Sequence, residues 1–281
     1  MATVSPIIAM ALSAIGNILM SLGAVIQKKG ADQAPEIGKH PLKKTIIGFL
    51  KNKTWLKGVT ISLIGLPIYL LSFTFGELIY IQPMVGLGIL AIVIYAIKNL
   101  KEKTTITERL GIILIIIGPA IIAYGSENIT KVVSILGNIS VYSIYIAFFI
   151  LLLLMIFISK TLPKGKKRAV TLAVTTGILL GMAAFSARLS ALSNLNILFL
   201  FLLVVTLAGG TVFSQIMYQQ GRAVITLTVS NVFNIVVPVI AGIFILSERI
   251  TPILAFGIIV ILLGCVLVSK IQSNALALKK T

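Results

Sequence analysis

Residues Leu71 to Lys103 read LSFTFGELIYIQPMVGLGILAIVIYAIKNLKEK. One apolar run ends at Phe75, Gly76 and Glu77 make a turn, and a second run climbs past Gln82 and Pro83. It stops in a charged knot from Lys98 to Lys103. A carboxamide beside a proline is costly inside a segment long enough to cross a bilayer, unless something uses it. A degraded copy of this layout recurs 146 residues later, and that copy decides the fold.

The chain has 281 residues, is 58% hydrophobic and only 11% charged, and its mean hydropathy is +1.10. The apolar residues come in runs of about 20, the length a helix needs to cross roughly 30 Å of hydrocarbon. This composition predicts an all-α polytopic membrane protein. A formal charge of +17 would suggest nucleic acid in a soluble protein. Here the basic residues sit in short loops, where they set orientation, and no nucleic-acid partner is expected. One cysteine (Cys265) and one histidine (His40) allow neither an internal disulfide nor a Cys/His metal site. The opening Met1-Ala2-Thr3-Val4-Ser5 lacks a positive n-region, so the first apolar run is expected to stay in the mature protein.

Nine apolar stretches are expected to span: Ile7–Ile26, Gly58–Phe75, Leu78–Ile97, Leu110–Tyr124, Val141–Ser159, Val170–Leu189, Ile197–Tyr218, Val224–Leu246 and Ile253–Val268. The fourth and ninth are short, from thinner local bilayer or clipped ends. With nine crossings, only Lys131, Arg188 and Arg249 of the 24 basic residues fall on one side. All the others fall opposite, which places the N-terminus outside and the C-terminus in the cytoplasm of a plasma-membrane protein. In the longest loop, Leu42, Ile46, Phe49 and Leu50 recur at helical spacing among lysines. They predict a short amphipathic helix lying on the anionic inner leaflet.

A shift of 146 residues places Glu102 on Glu248, Gly111 on Gly257 and Gly118 on Gly264. The Gly76-Glu77 turn then falls near Gly221-Arg222, and Gln82-Pro83 near Thr228-Val229-Ser230. Gly16 and Ser21 face Gly181 and Ser186 less clearly. The expected organisation is a first four-helix repeat over 1–128, a connecting helix and basic loop over 129–168, and a second four-helix repeat with a short tail over 169–281. One odd helix between two four-helix units inverts the second unit. That arrangement underlies alternating access, with the substrate site near midplane between the repeats.

These residues carry a family resemblance. The helix-turn-helix with its polar-plus-proline start, the exit Asn99-Leu100-Lys101-Glu102-Lys103 and the following Glu108-Arg109-Leu110-Gly111 resemble the drug/metabolite transporter (DMT, EamA-like) superfamily. So does Leu246-Ser247-Glu248-Arg249-Ile250-Thr251 leading to Gly257 and Gly264. Within it, Gln27-Lys28-Lys29-Gly30, Phe73-Thr74-Phe75, Gln82-Pro83 and Ser214-Gln215-Ile216-Met217-Tyr218 resemble the NIPA-type proteins. The resemblance implies transport of Mg²⁺ or a related divalent cation, and it implies no cofactor.

The candidate substrate-binding residues are Asn17, Gln82, Gln215, Gln219, Asn231 and Asn234. Asn17 shares a stripe with Ser13 and Ser21, Gln215 a face with Gln219 and Thr211, and Asn231 a face with Asn234. Carboxamides in hydrocarbon need partners. They either satisfy one another or line a polar cavity. Pro83 and Pro238 are expected to kink their helices. Glu77 stands at the outer mouth, to attract a cation or to cap the next helix. No Asp, Glu, Lys or His lies in the middle of any apolar stretch, and no catalytic motif is present, so an enzyme is not expected. No dedicated metal site can be assigned. Two other functions stay open, an EamA-type carrier of an amino acid or small metabolite and a non-transporting lipid-handling component. The bilayer and a small-molecule or ionic substrate are the implied partners, and a homodimer stays open.

Overall fold

The computed structural model describes residues 6–99, 105–125, 138–163, 165–193, 195–221, 223–246, 248 and 250–270. Lys101, Glu102, Lys103, Lys131, Arg222 and Arg249, which enter the charge and repeat arguments above, lie outside them. The secondary structure is helical: α1 (Pro6–Ala31), α2 (Leu42–Lys51), α3 (Lys53–Phe75), α4 (Leu78–Ile81), α5 (Val85–Asn99), α6 (Ile106–Gly125), α7 (Asn138–Thr161), α8 (Lys166–Leu192), α9 (Ile197–Tyr218), α10 (Ala223–Ile245) and α11 (Pro252–Lys270). Helical segments fall in each of the nine apolar stretches, the third divided into α4 and α5. Among the described residues six helical segments are long and apolar enough to cross a membrane, counting Leu78–Asn99 as one, and three shorter apolar helices accompany them. The chain is a polytopic helical membrane protein. Helices suit that setting because they satisfy every backbone N–H and C=O internally where no water can.

The fourth and ninth stretches were clipped at their ends, since α6 begins at Ile106 and α11 ends at Lys270. Pro83 lies in a 3₁₀ turn, Gln82–Met84, between α4 and α5. Pro238 sits inside an unbroken α10, and Pro67 and Pro119 sit likewise inside α3 and α6. The loop helix α2 forms as expected, with Leu42, Ile46 and Leu50 exposed. Phe49 departs from the pattern: it turns inward and meets Trp55 edge-on at 5.4 Å.

Packing is set by glycines that let backbones meet. α1 lies along α3, where a Cβ on Gly65 would stand 2.7 Å from the Gly16 carbonyl and one on Gly23 2.6 Å from the Gly58 carbonyl. α6 lies along α11, with Gly111 opposite Gly264 and Gly118 opposite Gly257, a register that requires the two helices to run antiparallel. Small residues at such crossings replace the hydrophobic drive that lipid removes. α1 also packs on α5, and α8 packs on α9 and α10. α5 and α10 meet through Ile89, Val93, Ile235 and Val239. α7 lies against α8, joined by a 2.7 Å contact between the Tyr145 and Ser186 hydroxyls, and leaves Phe149, Ile150 and Phe157 exposed.

Candidate functional site

A cavity of about 140 Å³ lies between α1, α5, α8, α9 and α10. Its polar lining includes Asn17, Ser21, Thr176, Asn231 and Asn234. Asn17 is held in place locally, its Nδ2 donating to Ser13 O at 2.9 Å and Ser13 Oγ at 3.2 Å, while the Ser13 hydroxyl donates to Ile81 O at 2.8 Å. Asn231 and Asn234 share a face of α10 as expected. Asn231 Nδ2 and Asn234 Oδ1 are buried without a protein partner, one donor and one acceptor left unsatisfied beside the cavity. A smaller void of about 40 Å³ continues past Asn17 and Asn234 to Tyr69.

Gln82 belongs to that line of polar groups but not to the cavity lining. It is fully buried, its Nε2 donates to Tyr69 Oη at 2.9 Å, and its Oε1 has no partner. Tyr69 was not legible as a partner because it stands alone in an apolar run.

Gln215 and Gln219, one turn apart on α9, part company. Gln215 Oε1 accepts from Trp55 Nε1 at 2.8 Å and its Nε2 donates to Gln27 Oε1 at 3.0 Å; Gln27 Nε2 in turn donates to Ser62 Oγ at 3.0 Å. Gln219 donates to the Ala31 and Pro35 carbonyls and accepts from Ile37 N, tying the loop after α1 to α9. Gln219 lies outside the cavities and acts as a tether. The Gln215 network borders a second cavity of about 510 Å³ between α3 and α9, lined mainly by apolar side chains and flanked by exposed Leu63, Val204 and Val212. Trp55 is positioned by Asn52, whose side chain caps α3 through Trp55 N and also donates to Gly30 O. Because Trp55 is the only tryptophan, its fluorescence reads this network. Gln215→Leu removes its acceptor and is expected to move the emission to the blue, with a stability loss of about 1 kcal/mol. An unchanged spectrum would show that the contact is not made.

At the opposite end of the bundle, Glu77 is 5% exposed and occupies the N-cap position of α4 without capping it. Glu248 does so instead. Its Oε1 accepts from Leu78 N at 2.9 Å and its Oε2 from Ile79 N at 3.0 Å. Two backbone bonds place it: after α10 the chain folds back, and Leu246 N and Glu248 N both donate to Gly242 O. Gly242 leaves room for that carboxylate, since a Cβ on it would stand 2.6 Å from Glu248 Oε2 and push it off its place. Arg188, near the C-terminus of α8, donates from Nη1 to Phe73 O at 2.6 Å. The acid therefore meets the positive N-terminal end of one helix and the guanidinium the negative C-terminal end of its neighbour. Both residues are 4% exposed.

Sequence reasoning used Glu248 only as a repeat and motif marker, and it missed Arg188. The available signal was three charged residues, Glu77, Arg188 and Glu248, all adjoining apolar stretches on the side that is otherwise poor in charge. Burial pushes the Glu248 carboxyl up to about 7, against the two backbone donors and Arg188, which favour its ionised form. Burial likewise raises Glu77, and Arg188 opposes the rise. Among the described residues, no three His, Cys, Asp or Glu side chains form a metal cluster.

No family model matches the chain, and no solved structure matches it. It is 25% identical over 264 residues to "Probable magnesium transporter NIPA9" of Arabidopsis thaliana, covering 88% of this chain and 76% of that protein. It is 24% identical over 284 residues to "NIPA-like protein 2" of Mus musculus, covering 92% and 72%. Over most of its length this integral membrane chain is thus similar to NIPA-type proteins.

Proposed function

We propose that the chain carries Mg²⁺ or a related divalent cation across the cell membrane by alternating access between two inverted four-helix repeats. In this arrangement α1, α3, α4–α5 and α6 form the first repeat within 1–128, and α7 with its basic loop joins the halves over 129–168. α8 to α11 form the second repeat within 169–281. The chain crosses nine times from an outside N-terminus to a cytoplasmic C-terminus. Paired packing supports the repeat: α1 on α3 and α5 mirrors α8 on α9 and α10, while α5 meets α10 and α6 meets α11. The charge asymmetry supports the orientation.

The observation that carries the transport function is the chamber between the two halves, lined in part by Asn17, Asn231 and Asn234, with a buried donor on Asn231 and a buried acceptor on Asn234 that have no protein partner. The first relative's name supplies the cation. Among the described residues no carboxylate lines the chamber. Mg²⁺ gives up water reluctantly, and a chamber of this size holds several waters. The ion would therefore pass largely hydrated, its waters bonded to Asn17, Asn231 and Asn234. The same neutral lining also suits a zwitterion, which keeps an amino-acid carrier as the second reading. The apolar α3–α9 cavity is the feature that a lipid handler would use.

Purified protein in liposomes decides among these. Uptake of Mg²⁺ is expected, and Asn231→Ala and Asn234→Ala are each expected to cut it by about tenfold or more while leaving folding intact. Amino-acid exchange without divalent flux overturns the cation assignment. Normal flux in both variants would mean that the amides only pack.

A further inference from the structure

We propose that the groove between α3 and α9 holds one tail of an anionic phospholipid, whose headgroup sits at the lysine-rich end beside Trp55. That this end faces the cytoplasm, and that the lipid therefore belongs to the inner leaflet, rests on the orientation proposed above.

The groove is the cavity of about 510 Å³. It exists because α3 packs on α1 and α9 on α8, while α3 and α9 barely meet. Met20 and Gln27 of α1 close its back, and its front is open, rimmed by exposed Leu63, Val204 and Val212. On an integral membrane chain such a front faces lipid. Its length matches one leaflet. The lining runs from Trp55 to Leu66 along α3 and from Gln215 to Val204 along α9. Each run rises about 16 Å at about 1.5 Å per residue, and half of the hydrocarbon core is about 15 Å.

Polarity follows the same axis. Gln27, Trp55 and Gln215 stand at the loop end, and Leu63, Leu66, Val204 and Leu207 toward the far end. The polar groups already satisfy one another, Trp55 with Gln215, Gln215 with Gln27 and Gln27 with Ser62. None of these four side chains has a buried polar atom without a partner, unlike Asn231 and Asn234 in the chamber. The groove therefore suits an apolar occupant. At the loop end, exposed Leu42, Ile46 and Leu50 of α2 mark the membrane interface. Lys51, Lys53 and Lys57 are exposed there, on long side chains that bend readily toward a headgroup. The acids of the preceding loop, Asp32 and Glu36, are already paired with Lys28 and Lys39. Uncompensated lysines at this level favour an anionic headgroup by about tenfold or more. Gln27, Ser62 and Thr211 line both the groove and the chamber, so a bound tail backs a wall one side chain thick.

Trp55, the only tryptophan, lines the groove and reports its occupant, because bromine on a lipid tail quenches indole fluorescence. The full-length protein is placed in phosphatidylcholine nanodiscs doped with phosphatidylglycerol brominated high in its tails. A tenfold preference puts half-maximal quenching at about one lipid in ten brominated. Brominated phosphatidylcholine, without the preference, is expected to need about one in two. Ala208→Phe fills the groove from an exposed position on α9 and is expected to abolish the difference between the two lipids. Val212→Phe, from the rim, serves should that variant not fold. Lys53→Gln combined with Lys57→Gln is expected to shrink the difference with the groove intact. Equal half-points for the two lipids in the wild type overturn the proposal. So does a preference that survives in the filled-groove variant, which would mean that the lysines only enrich the surrounding lipid. The test reads no flux and both leaflets are alike, so a failed cation or orientation assignment leaves its result standing. Unselective quenching, in turn, leaves those two assignments standing.

Discussion

Arg188→Ala is expected to lower the stability of the folded protein by about 3–5 kcal/mol at pH 8. The substitution does not merely delete a hydrogen bond to Phe73 O. It leaves Glu77 and Glu248, each 5% exposed or less, without the one described cation near them. A buried carboxylate without its partner is more costly than a neutral void. Both groups would then move further up, because the opposing pull of Arg188 is gone. A raised folded value stabilises at low pH and loses that effect as pH climbs through it. The variant should therefore recover part of its stability at pH 5, where Glu248 can stay neutral. Thermal unfolding at pH 5 and pH 8 checks this. Equal losses at the two pH values would show that Arg188 acts by packing alone.

Gly264→Leu is expected to force α6 and α11 apart and to cost about 3 kcal/mol or more. A Cβ there would stand 2.7 Å from the Gly111 carbonyl and 3.0 Å from Ile115 N. Both are backbone atoms, which cannot rotate away as a side-chain tip can. Overpacking ordinarily costs about 1–3 kcal/mol, and the added bulk of leucine against a helix backbone places this case at the upper end. Gly209→Ala is the control. Its nearest neighbours would be Leu179 methyls at 3.5 and 3.6 Å, ordinary contact, and alanine favours helix. Gly209→Ala should be neutral or slightly stabilising. Similar melting points for the two variants would show that the α6–α11 crossing tolerates separation.

The helices were legible because hydrophobic run length and loop charge both report on the bilayer, and neither depends on knowing partners. Their ends were less so. α1 runs on to Ala31 because Lys28 is buried and bonds Asp32 at 2.5 and 2.7 Å, an i,i+4 pair that carries the helix past its apolar stretch. The amides around the chamber were legible as a set, since polar groups in hydrocarbon stand out. Their separate tasks were not. Gln215 and Gln219 look equivalent on a helix wheel, yet one turn along α9 replaces Trp55 with the loop at Pro35 as the neighbour. Glu77 sits where a cap belongs, and Glu248 provides the cap from 170 residues away. No local pattern carries that pairing.

The separation along the chain has a consequence for how the molecule is made. α1 and α3 can zip together through their glycines while the second half is still being synthesised, since both are present early and close in sequence. The three bonds at the Gly76-Glu77 turn cannot. Phe73 waits for Arg188, 115 residues later, and Leu78 and Ile79 wait for Glu248. Until the segment after α10 emerges, the start of α4 presents uncapped amides and the end of α3 a bare carbonyl. These exposed groups mark an unfinished chain until Arg188 and Glu248 arrive, with only α11 still to follow.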